Sequence, residues 1–440
     1  MRDVLVAAGL LVLTASPAAA QDEAARVRAV LESTPLIDGH NDLPEQVLDR
    51  WQGDARRLDL TADLSRLDPP MHTDIARLRA GGVRGQFWSV YVSADLDGPH
   101  AAVQVMRQID IVHELVRRHP DVFELAYTAD DIERIHREGR IASLIGMEGG
   151  NAIDDSLATL RAFHALGARY MTLTHSLTLR WADSATDAPQ HGGLTPFGVA
   201  VVREMNRLGM LVDLSHVSPD TMNDALDATR APVIFSHSSA LALDDHPRNV
   251  PDQVLRRLPE NGGVVMVNFV PGFISQEVRN WNRDRATEEA RLTAEFADGA
   301  DTCSSIGSTA IAAATEAVCV IGVETALAGW EADHSRPEAS LHQVADHIEH
   351  IRDVAGIDHV GLGGDFDGIP TTIPGLDGVN TYPALLEELA RRGWSNGDLA
   401  KLAGGNVLRV MRQVEAVSAE LADEPANYAT IAELDGPERE

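Results

Sequence analysis

Apolar and polar positions repeat one pattern eight times along the chain. Short, apolar, β-rich runs end at a polar or glycine-rich corner, and most are followed by a segment with helical patterning. The runs predicted to be strands are Pro35–Asp42, Val83–Val92, Ile141–Glu148, Arg169–His175, Met210–His216, Pro232–His237, Gly263–Phe269 and His359–Asp365. Eight strands that alternate with helices predict a (β/α)8 barrel of the TIM type.

Helix signals between the runs support this prediction. Thr195-Pro196 and Ser218-Pro219 each place a capping residue before a proline suited to the first helical turn. An open, doubly wound parallel sheet is the alternative. It is weakened because no glycine-rich phosphate loop follows the first strand.

The repeat is interrupted once, between the seventh and eighth predicted strands. The connection has roughly 90 residues, where one barrel unit needs about 30. The excess, about residues 270–340, predicts an insertion at the catalytic face and not a second domain. We therefore expect one barrel domain over residues 21–424, with a loose C-terminal tail at 425–440.

The N-terminus has the pattern of a signal peptide. Arg2 precedes an apolar run from Val4 to Leu13, and the small residues of Pro17–Ala20 precede a predicted cleavage before Gln21. The run is too short to span a bilayer. We expect residues 1–20 to direct export to the periplasm or the medium, with a frayed apolar tail as the alternative.

The charge balance excludes some partners. The chain has 37 Lys and Arg against 67 Asp and Glu, a net charge of −30, which argues against nucleic acid and anionic membranes. All of the basic residues except Lys401 are arginine. No lysine-dependent chemistry can therefore be placed in the first seven strands or at the end of the eighth.

Cys303 and Cys319 are the only cysteines, and both lie in the insertion. An oxidising compartment favours their pairing, so we expect a disulfide, with two free thiols as the alternative.

Ionisable residues collect at the predicted strand ends. Four histidines and three carboxylates occupy six of the eight ends: His40, Asp42, Glu148, His175, His216, His237 and Asp365. Burying so many ionisable groups without a cation is costly, so a metal site is predicted. Imidazoles with carboxylates and no cysteine suit zinc, and there are more ligands than one zinc needs, which indicates two metals. Because no lysine is available to bridge them, Glu148 is the candidate bridge.

Seven short segments around the strand ends form a set of motifs: Thr34–Pro44, Glu148–Gly150, Thr172–His175, Asp213–Ser218, Phe235–Ala240, Arg248–Asp252 and Gly363–Gly368. Together they resemble the renal (membrane) dipeptidase family of zinc peptidases, and we expect a bacterial exported member. The resemblance runs from about Pro35 to Val414, except for most of the insertion. The family implies a (β/α)8 barrel with two zincs per chain that hydrolyses dipeptides, often with a D-residue at the C-terminal position.

The resemblance also assigns roles by position. It implies His40 and Asp42 as ligands of one zinc, His216 and His237 as ligands of the other, and Glu148 between them. His175 would polarise the scissile carbonyl, and Arg248 would bind the substrate carboxylate. Asp365 would take a proton from a water shared by the metals and deliver it to the leaving amine.

Other residues have a structural interpretation or depart from the family. Asp367 is expected to form a structural hydrogen bond to the following loop, and His347 to be a solvated helix residue. Asn151 stands where the family has histidine, and Arg180–Asp183 keeps only part of the family corner. These differences leave the substrate less defined than the chemistry.

The leading hypothesis is a two-zinc dipeptidase. The alternative is an amidohydrolase of N-acyl amino acids or other small amides, since Arg248 would bind a carboxylate in either case. A non-catalytic exported binding protein would lack a ligand or Asp365, and neither is missing. A homodimer would fit the family.

Overall fold

Eight parallel strands close into a barrel, as the sequence predicts. The computed structural model describes residues 17–298 and 310–436. Its strands are β1 (Leu36–Asn41), β2 (Val83–Tyr91), β3 (Phe123–Leu125), β4 (Ile141–Glu148), β5 (Ala168–Thr172), β6 (Leu211–Asp213), β7 (Ile234–Phe235), β8 (Val264–Val267) and β9 (Val360–Leu362). Each strand of the ring pairs with the next in parallel, and β2 pairs with both β1 and β4, which closes the ring.

The strand β3 lies outside the predicted set of eight. It pairs with the first half of β4, at Ile141 and Ala142. The strand β5 pairs with the second half of β4 along the same edge. Its three residues are too short a run to stand out as a strand from sequence alone. The remaining eight strands form the ring, so the seventh barrel strand is β8.

Helices surround the barrel. They are α1 (Pro17–Ser33), α2 (Leu43–Trp51), α3 (Ile75–Ala80), α4 (Gly98–Arg118), α5 (Ala129–Arg137), α6 (Leu157–Leu166), α7 (Pro196–Leu208), α8 (Pro219–Ala228), α9 (Asp252–Leu255), α10 (Leu258–Asn261), α11 (Pro271–Ile274), α12 (Gln276–Asp298), α13 (Ala310–Asp333), α14 (Leu341–Ala355), α15 (Tyr382–Arg391), α16 (Asn396–Ala400), α17 (Asn406–Glu420) and α18 (Ile431–Leu434). The predicted caps Thr195 and Ser218 accept hydrogen bonds from the first turns of α7 and α8.

Two buried clusters make up the core. The larger joins the helices to the outer face of the strands, and its members include Trp88, Phe163 and Leu385. The other includes Phe87 and Tyr170, whose rings lie 5.2 Å apart. This packing fixes the strand ends from which the polar side chains project.

The long connection after β8 contains α11, α12 and α13. Trp281 of α12 packs against Trp330 of α13, with ring centroids 5.8 Å apart, and Arg285 pairs with Glu331 at 2.6 Å. Leu292 and Leu327 are buried. The insertion is therefore a pair of long helices beside the barrel mouth.

Some sequence predictions fall on parts of the chain outside the described residues. Residues 1–16 of the predicted signal peptide are among them, and α1 begins at Pro17. Cys303 is also outside, so the disulfide stays a prediction. Over the part of the chain that is described, no helix has the length and apolar character needed to cross a membrane.

Two expectations about surface residues differ from the structure. His347 is buried, and both of its ring nitrogens have partners. Nδ1 accepts from the backbone N–H of Ala240 at 3.0 Å, and Nε2 lies 3.1 Å from the carbonyl oxygen of Ile274. In the C-terminal segment, Asp435 accepts from the Thr195 hydroxyl at 2.7 Å. A surface pattern on a helix cannot reveal that a neighbouring loop covers it.

Candidate metal centre

The mouth of the barrel brings together the five residues predicted as metal ligands. His40 lies on β1 and Asp42 directly follows this strand, while Glu148 ends β4. His216 and His237 follow β6 and β7. All five are buried, with no more than 9% of any residue exposed. Parallel strands of a barrel end at one face, so side chains that are far apart in sequence meet there.

The five residues form two groups that share Glu148. His40 Nε2 lies 3.2 Å from Glu148 Oε2 and 3.3 Å from Asp42 Oδ2. His216 Nε2 and His237 Nε2 lie 2.9 and 3.4 Å from the other oxygen, Oε1. Each oxygen of this carboxylate therefore faces a different group of ligand atoms, and each group is compact enough to hold one ion.

A chain of hydrogen bonds orients His237. Asp213 accepts from the hydroxyls of Thr172 and Ser236 through one oxygen, at 2.5 and 2.6 Å. Because the Ser236 hydroxyl donates to Asp213, it can only accept from Nδ1–H of His237, 2.8 Å away. Nε2 of His237 then carries a lone pair, and this lone pair faces the site.

Tyr170 orients His40 in the same way. The Tyr170 hydroxyl donates to the carbonyl of Gly39 at 3.3 Å and lies 2.9 Å from Nδ1 of His40. It therefore accepts from Nδ1–H, so that Nε2 faces the site. Burial opposes protonation of His40, but Tyr170 and the Asp42 and Glu148 carboxylates hold its pKa well above the ordinary value, and a bound metal ion would replace the Nε2 proton. Tyr170 can cross the barrel because a Cβ at position 146 would collide with its ring, and Gly146 has none.

These nitrogens need a cation. Nε2 of His216 and Nε2 of His237 lie 2.9 Å apart, and Nε2 of His40 has no hydrogen-bond partner among the described residues. Burial holds the pKa of His216 and of His237 well below the ordinary value, so both rings are neutral at pH 7. Lone pairs that converge on a carboxylate fit divalent metal ions, and imidazole with carboxylate suits zinc.

The imidazoles in turn favour the ionised form of Glu148. Burial opposes ionisation, but His40, His216 and His237 together hold the pKa of Glu148 well below its usual range. Glu148 is therefore ionised, with both oxygens able to bind a cation.

Asp365 lies between the two groups. It forms a third possible set of ligand atoms with His40 and His237. Its φ of 61° is left-handed, as is the φ of 71° at His216. Such conformations cost free energy and concentrate at functional sites. Burial raises the pKa of Asp365 to about 8, with the Asp42 and Glu148 carboxylates contributing and His40 opposing.

Asp367 has a structural hydrogen bond, but its partner is His72 and not the following loop that the sequence had suggested. Its Oδ1 accepts from the backbone of His72 at 2.7 Å, and its own backbone N–H donates to Nδ1 of His72 at 2.9 Å. Asp367 thus joins the loop after β9 to the loop before α3.

A cavity of about 320 Å³ opens above the five residues, and Arg248 and His175 line it. Arg248 is buried and donates to the carbonyl of His237 at 3.3 Å. The Arg248 guanidinium has no ion-pair partner among the described residues, because none of their carboxylates lies within 4 Å. His175 Nδ1 is buried with no hydrogen-bond partner among the described residues, and burial lowers the pKa of this ring. Both groups are available to a ligand.

Sequence reasoning missed several residues of this site. Glu45, Tyr91 and Phe273 line the cavity. Glu45 could have been predicted from the sequence, because it lies three residues after Asp42 and positions i and i+3 share a helix face. No pattern identified Tyr91 or Phe273, which lie on a strand and in the unmatched insertion.

The departure at Asn151 affects a loop. Its side-chain amide donates to the carbonyls of Ser93 at 3.1 Å and Leu96 at 3.3 Å, in the loop that follows β2. Asn151 has no described hydrogen bond to any of the five predicted ligands. Its direct contacts therefore fix the loop after β2.

A closed α/β barrel with this site at its mouth defines a metal-dependent hydrolase. The chain belongs to the membrane dipeptidase family, peptidase family M19, whose model matches residues 24–425. It is 37% identical to dipeptidase verJ of Clonostachys rogersoniana over 91% of this chain and 90% of the relative. It is 40% identical to the uncharacterized dipeptidase C3A11.10c of Schizosaccharomyces pombe, over 91% and 85%. Both relatives are fungal, so they do not support the expectation of a bacterial exported member.

Solved structures have the same fold. The probable dipeptidase PvdM from Pseudomonas aeruginosa matches with a TM-score of 0.73 and 24% identity, over 90% of this chain and 99% of that one. A metallopeptidase from Rhodobacter sphaeroides, liganded with a phosphinate mimic of L-Ala-D-Ala, matches with a TM-score of 0.66 and 23% identity, over 87% and 99%. The chain is a metallopeptidase of the dipeptidase type.

Proposed function

We propose that this dipeptidase uses two zinc ions, bridged by Glu148, to hydrolyse dipeptides, including those with a D-residue at the C-terminal position. The observation that carries the proposal is the separation of the two Glu148 oxygens between two groups of ligand atoms. His40 and Asp42 would hold one ion, and His216 and His237 the other. Bound there, the ions would supply Lewis acidity and a nucleophilic water at neutral pH.

The residues around the site divide the remaining tasks. Asp365 lies beside His40 and His237. Because its pKa is raised to about 8, both of its forms are populated near neutral pH, so the ionised form can accept a proton from water and pass it to the leaving amine. The unpartnered Nδ1 of His175 gives this ring a free position with which to interact with the substrate carbonyl. Arg248 offers a planar fork that suits the α-carboxylate.

Glu45 favours a dipeptide over an N-acyl amino acid. Its carboxylate lines the cavity and has no described cationic partner within 4 Å. Burial, together with the Asp42 and Glu148 carboxylates, raises the pKa of Glu45 to about 8. The free ammonium of a dipeptide would pair with Glu45 and relieve this repulsion, whereas an acylated nitrogen has no charge with which to do so.

The D-residue part of the proposal comes from a structural neighbour. The Rhodobacter sphaeroides enzyme was liganded with a mimic of L-Ala-D-Ala. We extend this stereochemistry to the present chain because the two proteins share a fold and both are metallopeptidases. The names of the two fungal relatives support dipeptides as substrates without giving their stereochemistry.

Hydrolysis of matched substrates tests the proposal. Wild type should cleave L-Ala-L-Ala and L-Ala-D-Ala at least about 100-fold better than N-acetyl-alanine, because the loss of a buried charge pair costs several kcal/mol. Glu45→Gln should lose most of this preference through a higher KM for dipeptides. Asp423→Asn, an exposed change outside the cavity lining, should retain it. Hydrolysis of N-acetyl-alanine but of neither dipeptide would instead support the amidohydrolase alternative.

Export, the Cys303–Cys319 disulfide and a homodimer are proposed from the sequence and the family resemblance alone. N-terminal sequencing of the exported protein should begin at Gln21. Mass spectrometry with thiol alkylation should find no free cysteine, and light scattering should give twice the chain mass.

A further inference from the structure

A second cavity adjoins the predicted substrate cavity and is lined by arginine. It has a volume of about 790 Å³ and lies between α12, the segment around Arg336 and the loop after β9. Its basic residues are Arg279, Arg283, Arg285 and Arg336. We call it the arginine cavity. The mechanism proposed above uses none of these four residues.

The charge of this lining is opposite to that of the chain. Acidic residues outnumber basic ones by 67 to 37 in the sequence. Four arginines nevertheless line the cavity, and no Asp or Glu occurs among its described lining residues. A cavity lined by one sign of charge attracts ligands of the opposite sign. The arginine cavity therefore suits an anion.

Two of the four guanidinium groups are already neutralised and two are more available. Arg279 pairs with Asp245 at 2.5 Å, and Arg285 pairs with Glu331 at 2.6 Å. By contrast, the nearest described carboxylate to Arg283 is that of its neighbour Asp284, at 3.9 Å.

Arg336 has no described carboxylate within 4 Å. Its guanidinium lies 5.9 Å from the ring of Trp281 and donates weakly to the Thr371 hydroxyl, at 3.4 Å. Arg283 also donates to the side-chain oxygen of Asn280 at 3.2 Å. In the described part of the chain, Arg283 and Arg336 thus leave most of their hydrogen-bond donors free for a ligand.

The arginine cavity lies next to the substrate cavity and shares a wall with it. Val270, Phe273, Ile369 and Pro370 line both. The guanidinium carbon of Arg248 lies 5.6 Å from the ring of Phe273. A C-terminal α-carboxylate bound to Arg248 would therefore place the side chain of the same residue beside this shared wall.

We propose that the arginine cavity binds a second carboxylate of the substrate, carried by the side chain of an acidic C-terminal residue. The inference rests on the proposed dipeptidase function and narrows its substrate class. The enzyme is then selective for dipeptides that end in glutamate or aspartate. Selection acts on KM, because these arginines contact the substrate away from the scissile bond.

The test compares L-Ala-L-Glu with L-Ala-L-Gln, which have nearly the same shape and differ in charge. Wild type should prefer Ala-Glu about tenfold in kcat/KM, as two exposed ion pairs at the upper end of their usual strength allow. The double variant Arg283→Gln/Arg336→Gln should reduce the ratio to below about twofold, and the change should lie in KM. High salt should weaken the preference of wild type.

Arg291→Gln is the matched control, since Arg291 also lies on α12 but pairs with Glu288 and Glu295. It should keep the wild-type ratio. A wild-type ratio near one, or an unchanged ratio in the double variant, would overturn the inference.

A binding measurement separates this inference from the proposed function. Calorimetry should show that free glutamate binds more tightly than glutamine to wild type but not to the double variant. If the protein cleaves no dipeptide, the proposed function fails while this difference still supports the anion site. Equal binding of both amino acids would overturn the inference even in an active enzyme.

Discussion

Ser236→Ala tests the hydrogen-bond chain that orients His237. The Ser236 hydroxyl lies 2.6 Å from Asp213 Oδ2 and 2.8 Å from His237 Nδ1, and all three residues are buried. Removing it leaves the Nδ1–H of His237 without its acceptor. An unsatisfied buried donor costs about 1–3 kcal/mol, and loss of such a partner lowers metal affinity roughly 10- to 100-fold.

The assay is recovery of activity by the metal-free protein in chelator-buffered zinc. We expect the Ser236→Ala variant to need roughly 10- to 100-fold more free zinc for half-maximal activity, and to approach the wild-type kcat once saturated. Urea unfolding of the metal-free protein should show a loss of about 1–3 kcal/mol.

Ser143→Ala is the matched control for this prediction. Ser143 is another buried serine of the barrel, but its hydroxyl has no hydrogen-bond partner among the described residues. The control should bind zinc like wild type. Unchanged zinc affinity in Ser236→Ala, or an equal loss in both variants, would refute the assignment of His237 Nδ1 as a donor to Ser236.

Three further predictions follow. Asp365→Asn should lower kcat by roughly 10²–10⁴ without loss of zinc, as expected for a general acid–base group; pre-steady-state kinetics and metal analysis test this, and an active variant would remove Asp365 from proton transfer. Arg248→Lys should raise KM for dipeptides by roughly 10- to 100-fold, since lysine lacks the planar fork; a change in kcat alone would contradict carboxylate binding. Burial lowers the pKa of His347 to about 4, so stability that is present above pH 6.5 is lost as the pH falls towards 4, about 3 kcal/mol in all. Urea unfolding of the metal-free wild type at several pH values should show this loss, and His347→Gln should make the free energy of unfolding less dependent on pH in this range.

Periodicity was sufficient to predict the barrel and the strand ends. The alternation of apolar runs and helices located all eight ring strands, and glutamate or histidine at their ends was visible without a structure. The observed strands are shorter, however: β7 has only Ile234 and Phe235. The polar residues at the end of each run continue the chain beyond the part that pairs with neighbouring strands. The sequence pattern therefore predicts strands that are too long.

Contacts between distant segments could not be predicted in this way. Tyr170 contacts His40 across the barrel, and only the absence of a side chain at Gly146 allows it. His347 is buried by segments about 70 and 100 residues away in the chain. Glu45 could have been inferred from helix geometry, whereas the arginine cavity depends on how α12 and the loop after β9 come together. The residues that orient the site or select its substrate are set by packing that a one-dimensional pattern does not contain.

Metal stoichiometry tests the central claim most directly. The metal-free protein is titrated with zinc while bound metal is counted by native mass spectrometry and dipeptide hydrolysis is followed in the same samples. The account predicts that full activity is reached with two zinc ions per chain, and that Glu148→Gln fails to retain both. Full activity with one ion per chain, or with none, would contradict it.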